Sequence, residues 1–486
     1  MFTMKKAHQR QLDIIELLYH NQGWHHFNDI AEAVDASVYS IRDDLSTIGS
    51  IFEDYVLLSE NKQTVHADFR KDANLETFRR YYLKETISLQ FLETLFFNPY
   101  LELEEIAEII LTSRSTVYRF IPELNERLSK EFALNLTTKP LKITGDERSI
   151  RDFFTIFFNM RYHPLEWPFD GINQTLIDNT IQLIADILQL TLSPPMHRQL
   201  SLMTAIGLVR NKKHQYLSQQ YLTKDISTSI ARIQPYFSSS TVNQQLNELL
   251  DQPLETSLLY DIFYPILLLA TENSPKMPTD SSLMINHLLS FSEIMELTLN
   301  PANARNLAFG INAIISHDTL ALIHQSSKIT RASHFNTMIQ KKQPKLFNRL
   351  TQFFKDIASS KNQDFSENTL NQLILYTVTH WDNLFQQLQN DSTPIPILVI
   401  SDISEGHAQL ISDDLKGYFN EAIAVSTGKE GTYQEALSLS PRPKIIVSTF
   451  DIDPISDTYI INADPLPDEL TYAEVQHALN IIERTE

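Results

Sequence analysis

At 486 residues and 56.0 kDa the chain is too long for one core, and 42% hydrophobic residues suffice to fill roughly three to five domains. Its net charge is −20, but the last 94 residues hold 5 basic against 16 acidic side chains, so nucleic-acid binding at the other end stays open. The absence of cysteine excludes disulfides, thiolate metal sites, Fe–S clusters and cysteine nucleophiles, and fits a reducing cytoplasm.

The start, Met1-Phe2-Thr3-Met4-Lys5-Lys6, has no apolar signal core and runs straight into a helical pattern. Leu12, Ile15 and Leu18, with Ile14 and Leu17, give residues 8–20 amphipathic spacing. After a break at Gly23, residues 29–34 read as a helix of barely two turns, and Asp35-Ala36 as a second break. A longer helix is expected from Ser37 to about Phe52, with Ile41, Leu45, Ile48 and Phe52 on one face. Ser37 suits its N-cap, because a serine hydroxyl can accept from an orphan backbone N–H. Val56 to Val65 reads as two short strands around Glu60-Asn61-Lys62.

The same pattern returns 76 residues later. Ile30 matches Ile106, Ala31 matches Ala107, Ser37 matches Ser113, Ser40 matches Thr116 and Ile41 matches Val117. Leu45 matches Ile121 and Phe52 matches Leu128. A helix from Ile87 to Phe97 precedes the second copy, and a β-like stretch from Phe132 to Thr144 follows it. Helix, short helix, tight break, longer helix and hairpin make the winged helix-turn-helix pattern, here twice in register.

In such a unit the third helix lies in the DNA major groove with its N-terminal residues at base edges. Copy one would present Ser37, Tyr39, Ser40 and Arg42, followed by Asp43 and Asp44, which would repel phosphates if they faced DNA. Copy two would present Ser113, Arg114, Ser115, Thr116, Tyr118 and Arg119, with Arg127 and Lys130 farther along. Arginine reads guanine bidentately or holds phosphate, so copy two is expected to supply more of the affinity. Pro122 is expected to kink or end the second copy's long helix, since it removes a backbone donor.

From about Ser149 to Leu388 the pattern is helical, broken by proline-containing turns. Residues 271–281, with Pro275 and Pro278, are the expected linker between two helical bundles. Phe153, Phe154, Phe157 and Phe158 read as core packing. Beyond Pro394 the texture changes: strands are expected at 395–400, 423–426, 444–448 and 459–461, with helices at 407–419 and about 470–484. That alternation indicates a small parallel sheet. The fold class is therefore mainly α and multi-domain: two winged helix-turn-helix domains, two helical bundles and a small C-terminal α/β domain.

Ten glycines in the whole chain are few, and neither GxGxxG nor GxxxxGK[ST] occurs. There is no HExxH, no EF-hand loop and no pair of histidines three or four apart. The longest apolar run, 262–270, contains Pro265 and is too short to span a bilayer. A soluble intracellular binding protein without cofactor, metal or catalytic site is expected, rather than an enzyme.

Taken together these features resemble the Mga/AtxA family of transcriptional regulators from Gram-positive bacteria. The most specific stretch is Ser113-Arg114-Ser115-Thr116-Val117-Tyr118-Arg119 with Leu124-Asn125-Glu126, similar to the family's main DNA-binding helix. Leu141-Lys142-Ile143-Thr144-Gly145-Asp146-Glu147 with Ile150-Arg151 resembles the exit into the first bundle. The resemblance implies winged helices over 1–66 and 67–148, bundles like PTS regulation domains (PRDs) over 149–278 and 279–392, and an EIIB-like α/β domain over 393–486. It further implies a dimer on double-stranded promoter DNA, tuned by sugar phosphotransferase phosphocarrier proteins that phosphorylate PRD histidines. His197, His287 and His380 are the candidates, with His214 and His317 weaker. EIIB subunits carry phosphate on a cysteine after the first strand, where Ser401-Asp402 stands here. That phosphotransfer is therefore not expected, and the end of the chain reads as a dimerisation or signalling module.

Three other readings compete. A histidine phosphocarrier would have no DNA affinity, and an RNA-binding antiterminator would begin with a small β domain. A scaffold would use its winged helices to bind protein.

Overall fold

The i, i+3, i+4 pattern of the first segment folds as α1 (Lys6–His20), burying Leu12, Ile14, Ile15 and Leu18. The computed structural model describes residues 4–21, 23–237, 241–271, 279–316, 319, 332–361, 364–389, 394–419, 423–428 and 442–485. The chain divides into two compact units: Met1–Met284 with Asn306–Thr379, and Ile285–Arg305 with His380–Glu486.

In the first unit, β1 (Trp24–His26), α2 (Phe27–Ala33), α3 (Val38–Ile51), β2 (Val56–Glu60) and β3 (Thr64–Phe69) follow α1. The antiparallel sheet has the order β1-β3-β2, so the expected hairpin gains a third, three-residue strand. A helix absent from the sequence expectation, α4 (Leu75–Lys84), then places Phe78 and Tyr82 in the core with Leu12, Ile41, Leu45 and Val65. Asp44 is 2% exposed and points into this core, accepting from Arg10 Nε at 2.5 Å and Gln11 Nε2 at 2.9 Å. The carboxylate ties α3 to α1 and is not on the surface, so the condition for repulsion is not met at this position.

The second copy comprises α5 (Ile87–Phe97), α6 (Leu103–Ile109), α7 (Arg114–Phe132) and the hairpin β4 (Asn135–Thr138) with β5 (Leu141–Thr144). Pro122 does not end α7, which runs on to Phe132, so that half of the sequence expectation is corrected. It sits on the exposed face, while Val117, Ile121, Leu124 and Leu128 bury the opposite one, and that packing carries the helix through the missing hydrogen bond.

Next come α8 (Glu147–Arg161), α9 (Gln174–Leu188), α10 (Pro194–Lys212), α11 (Lys224–Phe237), α12 (Thr241–Leu250) and α13 (Thr256–Thr271). Phe153, Phe154, Phe157 and Phe158 are buried, as expected from their run. Phe154 lies 4.4 Å from Phe96, and Phe153 lies 5.2 Å from Phe132, so α8 shares one aromatic core with α5 and α7. Across the bundle, buried Asp261 of α13 accepts from Arg151 Nη2 at 3.1 and 3.0 Å, Asn211 Nδ2 at 2.8 Å and the Leu217 amide at 2.6 Å. Arg151 also bonds Glu147, which holds Arg210.

Helices α14 (Thr279–Ile294), α15 (Pro301–Ile315), α16 (Ala332–Lys342), α17 (Pro344–Ser360), α18 (Glu367–His380) and α19 (Leu384–Gln389) continue the helical region. Residues 272–278 of the expected linker, and His317, lie outside the described residues.

The second unit contains the C-terminal α/β region. Strands β6 (Ile395–Ile400), β7 (Ile423–Gly428), β8 (Ile445–Ser448) and β9 (Tyr459–Asn462) form an all-parallel sheet in the order β7-β6-β8-β9. Alternate residues of β6 face opposite sides. Ile395, Ile397 and Val399 pack with α20 (Glu405–Phe419) and α21 (Glu469–Thr485), while Leu398 and Ile400 pack with Ile446. Just past β6, the Ser401 hydroxyl donates to His407 Nδ1 at 2.7 Å, and His407 Nε2 donates to the Pro465 carbonyl at 2.5 Å. Among the described residues no helix is long and apolar enough to cross a membrane, and no cluster of side chains suits a metal ion.

Asp261→Ala should destabilise the α8–α10–α13 contact by about 3–5 kcal/mol, because it strands the buried Arg151 charge. Hydrogen exchange should accelerate in those helices and not in the β6–β9 sheet. The pair Arg151→Met with Asp261→Leu should lose less than Asp261→Ala alone.

Candidate nucleic-acid interface

The two helix-turn-helix units match at the backbone as well as in sequence. Asp35 and Leu111, 76 residues apart, both turn the chain with left-handed backbone, at φ 49° and 53°. Behind them the amides of Ala36 and Thr112 donate to the carbonyls of Ala31 and Ala107, each at 2.9 Å. Ser37 and Ser113 then cap α3 and α7, accepting from the amides of Ser40 and Thr116, each at 3.1 Å. Ser40 and Thr116 also share their hydroxyl protons with these caps, at 2.9 Å in both copies.

The side chains diverge on this common frame. In copy one, Tyr39 is 82% exposed, but Arg42 is drawn back onto its own domain. Its guanidinium lies 4.0 Å from the Phe27 ring centre and donates to the Lys62 carbonyl at 2.7 Å. In copy two, Ser113, Arg114, Ser115, Tyr118 and Arg119 are all exposed along the first turns of α7, and Thr116 is half-buried. Arg114 Nη1 lies 2.8 Å from Glu104 Oε1 of α6, and Arg114 Nη2 donates to the Tyr118 hydroxyl at 3.3 Å. The Tyr118 bond first, and the Glu104 charge second, raise the Arg114 pKa above its ordinary value. Arg119 makes no ion pair or hydrogen bond among the described residues, whereas Arg127 is paired with Glu123 at 3.0 Å.

A wing stands beside this helix. The Asn125 side chain accepts from the Leu136 amide at 2.8 Å and donates to its carbonyl at 3.0 Å, fixing β4 against α7. The hairpin leaves Lys139 and Lys142 exposed.

Comparison with known proteins identifies this arrangement. Residues 5–64 match the family described as "M protein trans-acting positive regulator (MGA) HTH domain", and residues 71–158 match "Mga helix-turn-helix domain". A candidate trans-acting regulator of Streptococcus pneumoniae serotype 4 is 25% identical over 480 residues, covering 94% of each chain. Two capsule synthesis positive regulators of Bacillus anthracis are each 24% identical. AcpB aligns over 43% of this chain and 44% of its own, and AcpA over 47% of each. The chain is a homologue of the Mga/AtxA-type regulators.

These relatives are named as regulators, and α2 with α3 and α6 with α7 fall within the two family matches. The structure brings Arg114, Tyr118 and Arg119 together on α7, and takes Arg42 away from the equivalent face of α3. The candidate histidines lie apart from this face in sequence. His197, on α10, is half-buried, with Nε2 3.2 Å from the Asp178 carbonyl oxygen and Nδ1 4.0 Å from Asp178 Oδ1. His287 of α14 is exposed, His380 ends α18 half-buried, and His214 is exposed beside the Tyr216 hydroxyl at 3.1 Å. The sequence reading missed Lys139, Lys142 and Glu104. The lysines were legible as exposed positions flanking Pro140 in a hairpin, whereas Glu104 carries no local signal because its partner lies on the next helix.

Ser113→Ala should cost about 1 kcal/mol by uncapping α7, seen as faster exchange of the Thr116 amide. Ser113→Asp should keep the cap and yet weaken DNA binding, because it adds a negative charge at the groove face.

Proposed function

We propose that this regulator binds double-stranded promoter DNA mainly through the second helix-turn-helix, with α7 in the major groove and the β4–β5 wing on the adjoining phosphates. The supporting observation is the exposed, unpaired Arg119 on the first turns of a helix whose wing adds Lys139 and Lys142. Arg119 and the lysines suit phosphate oxygens, and Arg114 suits a guanine edge. Ser37, Tyr39 and Ser40 of the first copy add weaker contacts, since Arg42 is spent on Phe27 and the wing carbonyl. The relatives named as positive regulators favour activation over repression.

Control follows from the same reading. The chain would act as a homodimer in the cytoplasm, with PRD-like bundles over 149–278 and 279–392 and an EIIB-like module over 393–486. Sugar phosphotransferase phosphocarriers would phosphorylate His197, His287 or His380. Phosphate adds close to two negative charges at a helix surface, enough to remake a packing contact. The Ser401–His407 bond in place of a phosphocysteine supports a signalling role for the last module, not phosphotransfer.

Fluorescence anisotropy with a duplex of about 40 base pairs, titrated over salt, tests the DNA reading. Micromolar or tighter binding at low salt is expected, with log K falling steeply against log salt. Arg119→Ala and Lys142→Ala should each flatten that slope by about 0.9. A folded protein with no affinity for DNA at low salt sinks the proposal. Separately, a purified phosphocarrier with its phosphoryl donor should place acid-labile phosphate on one or more of the three histidines, read by mass spectrometry. Unmodified histidines would remove the phosphotransferase link.

A further inference from the structure

Arg114 and Arg119 sit on the same exposed turns of α7, but in different electrostatic settings. Arg119 is unpaired among the described residues, while Arg114 is held by Glu104 at 2.8 Å and by the Tyr118 hydroxyl at 3.3 Å, with the guanidinium carbon 5.3 Å from the Tyr118 ring centre. Resting on the DNA-binding reading of α7, we infer that Glu104 is a specificity-determining residue: it positions Arg114 for a base edge and shields its charge from the phosphates of unrelated sequence.

The hydrogen-bond inventory supports this. A guanidinium has five N–H donors, two on each terminal nitrogen. Tyr118 accepts one N–H from Nη2, while Glu104 holds Nη1 by charge at 2.8 Å without an aligned hydrogen bond. At least one N–H stays open on each terminal nitrogen, and guanine O6 and N7 can accept such a pair together. The side chain is therefore held by one ion pair and one hydrogen bond while donors stay open on both terminal nitrogens. Glu104 is itself 48% exposed, so its carboxylate stands where a DNA backbone would approach. A site offering Arg114 only phosphate oxygens meets that negative charge as well, which disfavours it relative to a site with a guanine in place.

The protein contains its own contrast. The positions 76 residues earlier are Asn28, Val38 and Arg42, so the first copy has no such clamp. Glu104 takes no part in the capping box of α6, which uses Glu102 and Glu105. Its side chain is thus free for a role toward α7.

The test uses the full chain and two duplexes of about 40 base pairs, one of random sequence and one recovered by selection from a random pool. Glu104→Gln should raise affinity for the random duplex about threefold or more at low salt and steepen its log K–log salt slope by about 0.9. Affinity for the selected duplex should rise less, so the ratio of the two falls. Glu108→Gln, which removes a charge from the same exposed helix, should leave the ratio unchanged. Glu104→Asp, which keeps the charge but shortens the reach, should lower the ratio without steepening the slope. In an Arg114→Ala background Glu104→Gln should no longer alter the ratio. A Glu104→Gln effect equal to that of Glu108→Gln, or one that persists without Arg114, overturns the inference. If Arg119→Ala leaves both duplexes bound as before, α7 is not the interface, and the DNA reading fails with the inference. Binding that depends on Arg119 while ignoring Glu104 overturns the inference alone.

Discussion

Four phenylalanines within two turns of α8 make one continuous buried face, and their burial is the constraint on which the first unit depends. Phe154 and Phe158 pack on Phe96 of α5, and Phe153 packs on Phe132 at the end of α7. The helix that opens the bundle is therefore also a wall of the second helix-turn-helix. Charge reinforces the seam where α8 ends. Arg161 is 5% exposed, forms an ion pair with Glu93 of α5 at 2.9 Å and donates to the Leu83 carbonyl at 2.8 Å. Tyr162 donates to the same Glu93, and burial first and that carboxylate second raise its pKa above the ordinary phenol range.

The two copies share a turn and cap geometry at the backbone, and their side chains part on it. The turns at Asp35 and Leu111 and the caps at Ser37 and Ser113 survive in both copies, since they satisfy backbone donors that any helix start exposes. The surfaces do not. Position 42 carries an arginine folded back on Phe27, while position 118 carries a tyrosine that supports an arginine one turn earlier. Asp44 became a core anchor of the first copy, and its counterpart is Phe120, packed on Phe91. One frame thus carries two different surfaces, the second with more exposed cationic side chains.

Much of this was legible in the sequence, for physical reasons that differ by element. Strong periodicity located α1, α5 and the C-terminal strands within a residue or two, because burial on one face leaves its period in the chain. Serine before a periodic run located the caps. What escaped depends on partners distant in sequence. Trp24-His25-His26 is a strand only because β3 pairs with it, and α4 is read from its packing on α1 more than from its own composition. The burial of Asp44 requires Arg10 and Gln11, and the placement of Arg114 requires Glu104. Pro122 shows the opposite error, a local rule outweighed by four buried residues on the far side of its helix.

The shared aromatic wall has a geometric consequence. With α7 and α8 packed in one core, α7 is tied to the bundle, and on the proposed reading two paired copies would present their α7 helices at a separation set by whatever holds the copies together. Paired half-sites are read one duplex turn or whole multiples apart, so such a pair would select its targets by helical phase. Inserting about five base pairs between half-sites would rotate one of them to the opposite face of the duplex, beyond the reach of a domain tied to its bundle. A signal that altered only the pairing of the copies would change which promoters are in phase, with every protein–base contact left as it was.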